Sequence, residues 1–251
     1  MIRFDLAGRS AIVTGANTGI GRAIAVGLAQ AGADIVGVGR STMTETEADV
    51  VSTGRRFVSV TADLSKSGIG AKVIAEALAA GAAPDILVNN AGIIRRADAI
   101  EFTEEDWDAV LDTNLKSVFF LCQAFAKAAI AAGRPAKIIN IASLLSFQGG
   151  IRVPSYTAAK SGLAGLTKLM ANEWAAKGIN VNAIAPGYVE TNNTAALRAD
   201  AERNADILKR IPAGRWAQPD DIVGAAVFLA APASDYIHGT ILPVDGGWLA
   251  R

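Results

Sequence analysis

A chain of 251 residues that is 51% hydrophobic can bury a large core, and a single α/β domain over 1–251 is expected. The 24 basic and 24 acidic residues balance without a run of like charge, which argues against nucleic-acid and membrane partners and toward small molecules. One cysteine, Cys122, excludes an internal disulfide; the apolar runs are too short to span a bilayer, and MIRFDLAGRS lacks a long apolar signal segment, so a cytoplasmic protein is expected.

The first β-rich run, 10–14 (SAIVT), ends in Thr14-Gly15-Ala16-Asn17-Thr18-Gly19-Ile20-Gly21, and helical periodicity starts at once over 20–31. Glycines at a strand-to-helix turn let the backbone turn tightly and let a pyrophosphate reach the N–H groups and positive end of the next helix. Glycines that only close a βα turn would look similar, but the position of this pattern at the head of a βαβ unit is the context a dinucleotide site needs. The second run, 34–38 (DIVGV), leads into Gly39-Arg40-Ser41 with no carboxylate for a ribose 2′-hydroxyl. Arg40 can instead pair with a 2′-phosphate, which favours NADP over NAD, although a solvated surface arginine would read the same way.

Further β-rich runs follow at 57–61 (FVSVT), 85–89 (DILVN), 137–142 (KIINIA), 180–184 (NVNAI) and 240–244 (TILPV), and helical periodicity marks 103–132, 155–177 and 219–230. Several strands are apolar on consecutive residues, as a sheet covered on both faces requires. The β-α alternation predicts one doubly wound, Rossmann-type domain with a seven-stranded parallel sheet between helices. The polar stretch from Tyr188 to about Arg210 is expected to form a mobile substrate lid.

Tyr156 and Lys160 stand four residues apart in SYTAAKSG, one turn on the same helix face. A free phenol titrates near pH ~10, and a neighbouring ammonium favours the phenolate, so this pair can take the proton of an alcohol as hydride leaves its carbon, or return it. Lys160 can also hold the nicotinamide ribose hydroxyls. The spacing alone also fits a tyrosine packed over a lysine stem. Ser143 distinguishes the two readings, because it ends the fifth strand at the sheet edge where open α/β sheets bind ligands, and its hydroxyl can hold a substrate oxygen. Asn114, inside a helical run where asparagine is unfavourable, offers an amide to fix a proton-relaying water. No rival apparatus stands out: His238 is expected to cap or pack near the last strand, Cys122 has core-like neighbours, no metal-ligand cluster is seen, and Ser143 lacks nucleophile-elbow glycines.

These motifs resemble the short-chain dehydrogenase/reductase family, whose glycine pattern is Gly15-x-x-x-Gly19-x-Gly21 rather than the commoner spacing. Asn89-Asn90-Ala91-Gly92 is similar to its second fingerprint, Asp63 to its adenine-contacting aspartate, and Pro186-Gly187-Tyr188-Val189-Glu190-Thr191 to the segment that holds the nicotinamide carboxamide. Asn114, Ser143, Tyr156 and Lys160 match its catalytic tetrad in order. The resemblance implies cofactor contacts from Gly15, Asn17, Thr18, Gly19, Ile20, Gly21, Arg40, Asp63, Leu64, Asn90, Ala91, Gly92, Tyr156, Lys160, Pro186, Gly187, Val189 and Thr191.

The substrate pocket is expected to draw on Leu144 to Val153 and the lid, with Ser143, Leu145, Gln148, Arg152 and Tyr156 touching substrate; Arg95 and Arg96 are further cations that could meet an anion. NNAGIIRRADAIEF, NIASLLSFQGGIRVPSYTAAKSG, MANEWA, NVNAIAPGYVETNNT, RIPAGRW and VDGGWLAR resemble the branch that acts on ketodeoxygluconate, which implies a deoxy sugar acid. Gluconate (oxidised at the 5-position) and a 3-oxoacyl thioester are the alternative substrates; a silent dinucleotide sensor is the alternative class, against which the complete tetrad speaks. The family also implies a homotetramer, for which the apolar stripe of 103–132 and the ending GGWLAR would suit interfaces.

Overall fold

The computed structural model describes residues 4–250. Seven strands, β1 (Ser10–Thr14), β2 (Asp34–Gly39), β3 (Phe57–Thr61), β4 (Ile86–Asn89), β5 (Ala136–Ile141), β6 (Ile179–Pro186) and β7 (Ile241–Val244), form one sheet in the order β3-β2-β1-β4-β5-β6-β7. Every neighbouring pair is parallel. The strand order reverses between β1 and β4, where Ala11 pairs with Ile86, and the crevice beyond their carboxyl ends is where such a sheet takes a ligand.

Consecutive strand residues feed opposite layers. On one face Ala11, Val13, Ile35, Ile86, Val88 and Ile139 pack with Ile24 and Leu28 of α1 (Gly19–Gln30) and with Ala226 and Leu229 of α9 (Val223–Ala230). On the other, Ile12, Val36, Leu87, Ile138 and Val181 meet α3 (Ile69–Ala79), α5 (Ser117–Ala131) and α6 (Pro154–Trp174) through Val73, Phe125, Leu163 and Met170. Burial of both faces is why these strands read as unbroken apolar runs.

Three features depart from the periodicity. α2 (Thr44–Ser52) buries only Thr46 and Val50, too few apolar residues to announce a helix; it and α3 flank β3, and neither follows from the periodicity. The run 103–132 is not one regular helix: α4 (Glu104–Leu111) passes through a π-helical turn, Asp112–Lys116, before α5 begins. The polar stretch after Tyr188 carries α7 (Ala195–Ala199) and α8 (Ala201–Arg210), the latter capped by Asp200, whose carboxylate accepts from the Arg203 N–H at 3.0 Å. Among the described residues, no helix is long and apolar enough to cross a membrane.

Candidate active site

The turn after β1 is built by close contacts. Gly15 and Gly19 hold φ of +67° and +54°, in the left-handed region that glycine enters without strain. Gly21 is required for another reason: a Cβ there would lie 2.1 Å from the Gly15 carbonyl oxygen and 2.4 Å from Asn90 Nδ2. That Asn90 amide donates to the Thr14 carbonyl at 3.0 Å, while the Thr14 hydroxyl accepts from the Asn90 and Ala91 N–H groups, both at 3.0 Å. Thr14 and Asn90 thereby tie the ends of β1 and β4 together under the site. Thr18 caps α1 without a side-chain hydrogen bond and the first turn holds no acid, so its leading N–H groups are left for an anion.

A cleft of about 1270 Å³ opens above this turn, lined by Gly15, Asn17, Thr18, Gly19, Ile20, Arg40, Asp63, Leu64, Asn90, Ala91, Gly92 and Thr191. Three guanidinium groups stand here, and Arg198 faces Glu190 at 3.6 Å. Arg22 is committed to Asp49 at 2.8 Å and to Glu45, whereas Arg40 stays exposed at the rim beside Ser41, whose hydroxyl accepts from Asn17 Nδ2 at 3.0 Å. Hydrogen bonds from Ser65 hold the Asp63 carboxyl below its ordinary range, and the charge of Arg40 adds to that pull. Glycine turn, open helix end and cationic rim together fit a phosphorylated dinucleotide. Gly21 and Val189 do not line the cleft; Val189 is buried, with its carbonyl accepting from the Thr194 hydroxyl at 2.7 Å.

Pro186 and Gly187 border an adjoining cavity of about 580 Å³, whose walls include Arg96, Ser143, Leu145, Gln148 and Tyr156. Tyr156 sits in the first turn of α6, and Lys160 follows one turn later with its Nζ 5.5 Å from the phenol ring centroid. Burial lowers the Lys160 ammonium to about 8, and its Nζ donates to the Ile141 carbonyl at 2.6 Å. Burial raises the Tyr156 phenol above its ordinary value, and a hydrogen bond with Ser143 and the charge of Arg96 act in the opposite direction. The charge of Arg96 thus acts on the phenol beside that of Lys160, whose Nζ stays near the ring while donating to the Ile141 carbonyl. Asn114, in the π turn, is fully buried: its Oδ1 accepts from the Ile93 N–H at 2.9 Å and its Nδ2 donates to the Ile93 carbonyl at 2.8 Å. Both polar atoms of the amide thus engage Ile93, in the loop that lines the larger cleft.

Residues 15–249 match a family model described as enoyl-(acyl carrier protein) reductase, one of the short-chain dehydrogenase/reductase models. The chain is a short-chain dehydrogenase/reductase. It is similar to the 2-dehydro-3-deoxy-D-gluconate 5-dehydrogenase of Escherichia coli (strain K12), at 62% identity over 99% of this chain and 98% of that protein. A candidate 2-deoxy-D-gluconate 3-dehydrogenase from Agrobacterium tumefaciens with bound NADP is 63% identical with a TM-score of 0.91, covering 99% of both chains. A gluconate 5-dehydrogenase from Burkholderia cenocepacia J2315, in complex with NADP and tartrate, is 42% identical with a TM-score of 0.94 over 99% of this chain and 98% of that one.

The dehydrogenase places its two neighbouring arginines differently, which the doublet in IIRR could not show. Arg95 pairs with Asp106 at 3.0 Å, away from the cavity; Arg96 lines it and donates from Nη2 to the Asn193 carbonyl at 2.9 Å. Arg152 lies outside the cavity lining: at φ +61° it points to solvent and pairs with Asp98 at 3.1 Å. Arg203, Arg210 and Trp248 also line the cavity, brought there by α8 and the chain end; the lid and the motifs RIPAGRW and VDGGWLAR span them without marking any as a substrate contact. Trp248 is 4% exposed and packs in its own chain with Leu144, Ile207, Ile211 and Trp216, so its ring is not available to the subunit interface that the GGWLAR ending suggested. His238 sits beside Asn180, with its Nε2 3.2 Å from that amide, and Cys122 is buried with its thiol pushed up to about 12.

Proposed function

We propose that this enzyme interconverts a secondary alcohol and a ketone on a deoxy sugar acid, in the manner of 2-dehydro-3-deoxy-D-gluconate 5-dehydrogenase. The observation that carries the reading is the placing of Arg96 in the same cavity as Tyr156, close enough for its charge to act on the phenol. A carboxylate held by that guanidinium would bring the carbon chain of a small acid past the Ser143 hydroxyl and the phenol. Arg203 and Arg210 add positive charge to the same walls, and three enzymes named for this activity are 62%, 59% and 58% identical to this chain.

A nicotinamide dinucleotide bound in the larger cleft supplies hydride exchange. Ser143 holds the reacting oxygen, and Tyr156 takes its proton during oxidation or returns it during reduction. Lys160, whose Nζ donates to the Ile141 carbonyl, would hold the nicotinamide ribose hydroxyls, while Asn114 keeps the floor of the cleft in place through Ile93. NADP is preferred over NAD, a reading supported by Arg40 at the cleft rim after β2, where no carboxylate ends the strand to meet a ribose 2′-hydroxyl. Lower Michaelis constants for NAD would overturn that preference.

The stretch from Tyr188 to about Arg210 works as the substrate lid. The chain assembles as a cytoplasmic homotetramer, in which the exposed Phe120 and Ile130 of α5 and Leu169 of α6 become covered. Light scattering at the mass of one chain would refute the assembly. The decisive assay follows absorbance at 340 nm with 2-keto-3-deoxygluconate, gluconate and acetoacetyl thioester, each with NADP(H) and NAD(H). Turnover of the deoxy sugar acid, lost in Tyr156→Phe, is expected; turnover of gluconate or of the thioester alone would replace the substrate assignment.

A further inference from the structure

Three distant parts of the chain meet at one oxygen atom in the wall of the Tyr156 cavity. Gln148, in the loop after β5, accepts at Oε1 from Trp248 Nε1 at 3.1 Å and from Arg210 Nη2 at 3.3 Å. The Arg210 guanidinium also lies over the Trp248 ring, 4.0 Å from its centroid. Trp248 is itself fixed: Asp245 accepts from the Gly247 and Leu249 N–H groups, both at 2.9 Å, and the Gly246 carbonyl accepts from Ala213 N–H at 3.0 Å, just beyond α8.

We infer that Trp248 is a positioning residue for substrate selection, acting through Gln148. A primary amide can turn its oxygen or its nitrogen toward a ligand with little change in shape, and an amide free to flip offers both. Two donors converging on Oε1 remove that freedom. Gln148 then presents its NH₂ to the cavity, a donor matched to the carboxylate or hydroxyl oxygens of a sugar acid and mismatched to a ligand that brings only donors. The same contact holds the end of α8, through Arg210, against the loop after β5, so the chain end, the α8 end and that loop form one side of the pocket. The inference rests on the assignment of this cavity to substrate.

The test is a cycle of four proteins, wild type, Trp248→Phe, Gln148→Ala and the double variant, assayed with 2-keto-3-deoxygluconate and NADP(H). Trp248→Phe keeps an aromatic face for Arg210 and removes only the indole donor. It is expected to raise KM for the sugar acid about fivefold, with kcat and KM for the cofactor nearly unchanged. In the Gln148→Ala background the same substitution is expected to do nothing, because the residue through which it acts is gone. Gln148→Glu keeps an acceptor for Trp248 and Arg210 but lacks the NH₂, and is expected to raise the sugar-acid KM further. Additive effects in the cycle, or an equal rise in the cofactor KM, would overturn the inference. If the wild type turns over no sugar acid, the substrate assignment falls and amide hydrogen exchange in α8 decides the coupling: faster exchange in both single variants sustains it, and unchanged exchange overturns it.

Discussion

Replacing Asn114 by alanine separates two roles that are easily confused. In the folded protein this amide spends one acceptor and one donor on Ile93, at 2.9 and 2.8 Å, from a fully buried position. Alanine leaves the Ile93 N–H and carbonyl without those partners, and a partly buried group stripped of its hydrogen bond costs about 1–3 kcal/mol. Water can enter the space of the lost amide, so a total of about 2–3 kcal/mol is expected rather than the full sum. For a chain of this size that corresponds to a fall in Tm of about 4–12 °C, read by differential scanning calorimetry without cofactor. The KM for NADP should rise together with the fall in Tm, since Ala91, Gly92 and Ile93 line the cleft. Asn114→Asp gives a second reading. It keeps an acceptor for the Ile93 N–H but sets a carboxylate against the Ile93 carbonyl, so its stability relative to wild type should recover as the acid gains a proton and becomes a donor. A Tm for Asn114→Ala within 2 °C of wild type, with kcat reduced, would refute the clamp and leave the amide a proton-relay role alone.

Removing the charge of Arg96 with leucine is expected to raise KM for the sugar acid and to move the basic-side activation of the oxidation to higher pH, because that cation helps draw the phenol downward; an unmoved kcat/KM profile would contradict this. Gly21→Ala forces a Cβ to within 2.1 Å of the Gly15 carbonyl oxygen, so NADPH titration followed by fluorescence should show binding lost or no soluble protein at all. Lys160 titrates near 8 in the folded chain against 10.5 for an ordinary lysine, so the unfolded chain holds more protons between those values. Stability of the wild type relative to Lys160→Met should therefore rise from pH 8 to 10.5 in urea titrations, and a flat difference would show that the ammonium is not desolvated.

The sheet could be read from the sequence because burial on both faces leaves a strong imprint. Ile12, Val13, Leu87 and Val88 have no polar neighbour to alternate with, since each side of their strands meets a helix layer. The glycine turn was equally legible, through contacts that exclude a side chain at Gly21. The substrate cavity was legible in part, since Ser143, Leu145, Gln148 and Tyr156 line it, but its cations were not. Arg152 seemed a natural ligand beside Tyr156, yet a left-handed backbone at that residue swings it out to Asp98, and Arg96 reaches the cavity in its place. Periodicity does not encode which of two adjacent loop arginines turns inward. Nor does it show that Arg210 and Trp248 converge on Gln148, because those contacts depend on how α8 and the chain end fold back over the sheet edge.

The π turn at Asp112–Lys116 acts as an inserted residue that was kept. A helix with one residue added beyond its normal turn changes the phase of everything after it, so α4 and α5 need not share a common face. The chain can thus aim Asn114 at the loop beneath the cofactor while α5 presents Leu121, Cys122 and Phe125 to the core. Deleting any one residue of that turn would restore a regular helix and rotate one side relative to the other by about 100°, either pulling the amide off Ile93 or taking those three side chains out of the core. Length variation among relatives should therefore spare this short segment, even where the nearby loops gain or lose residues freely.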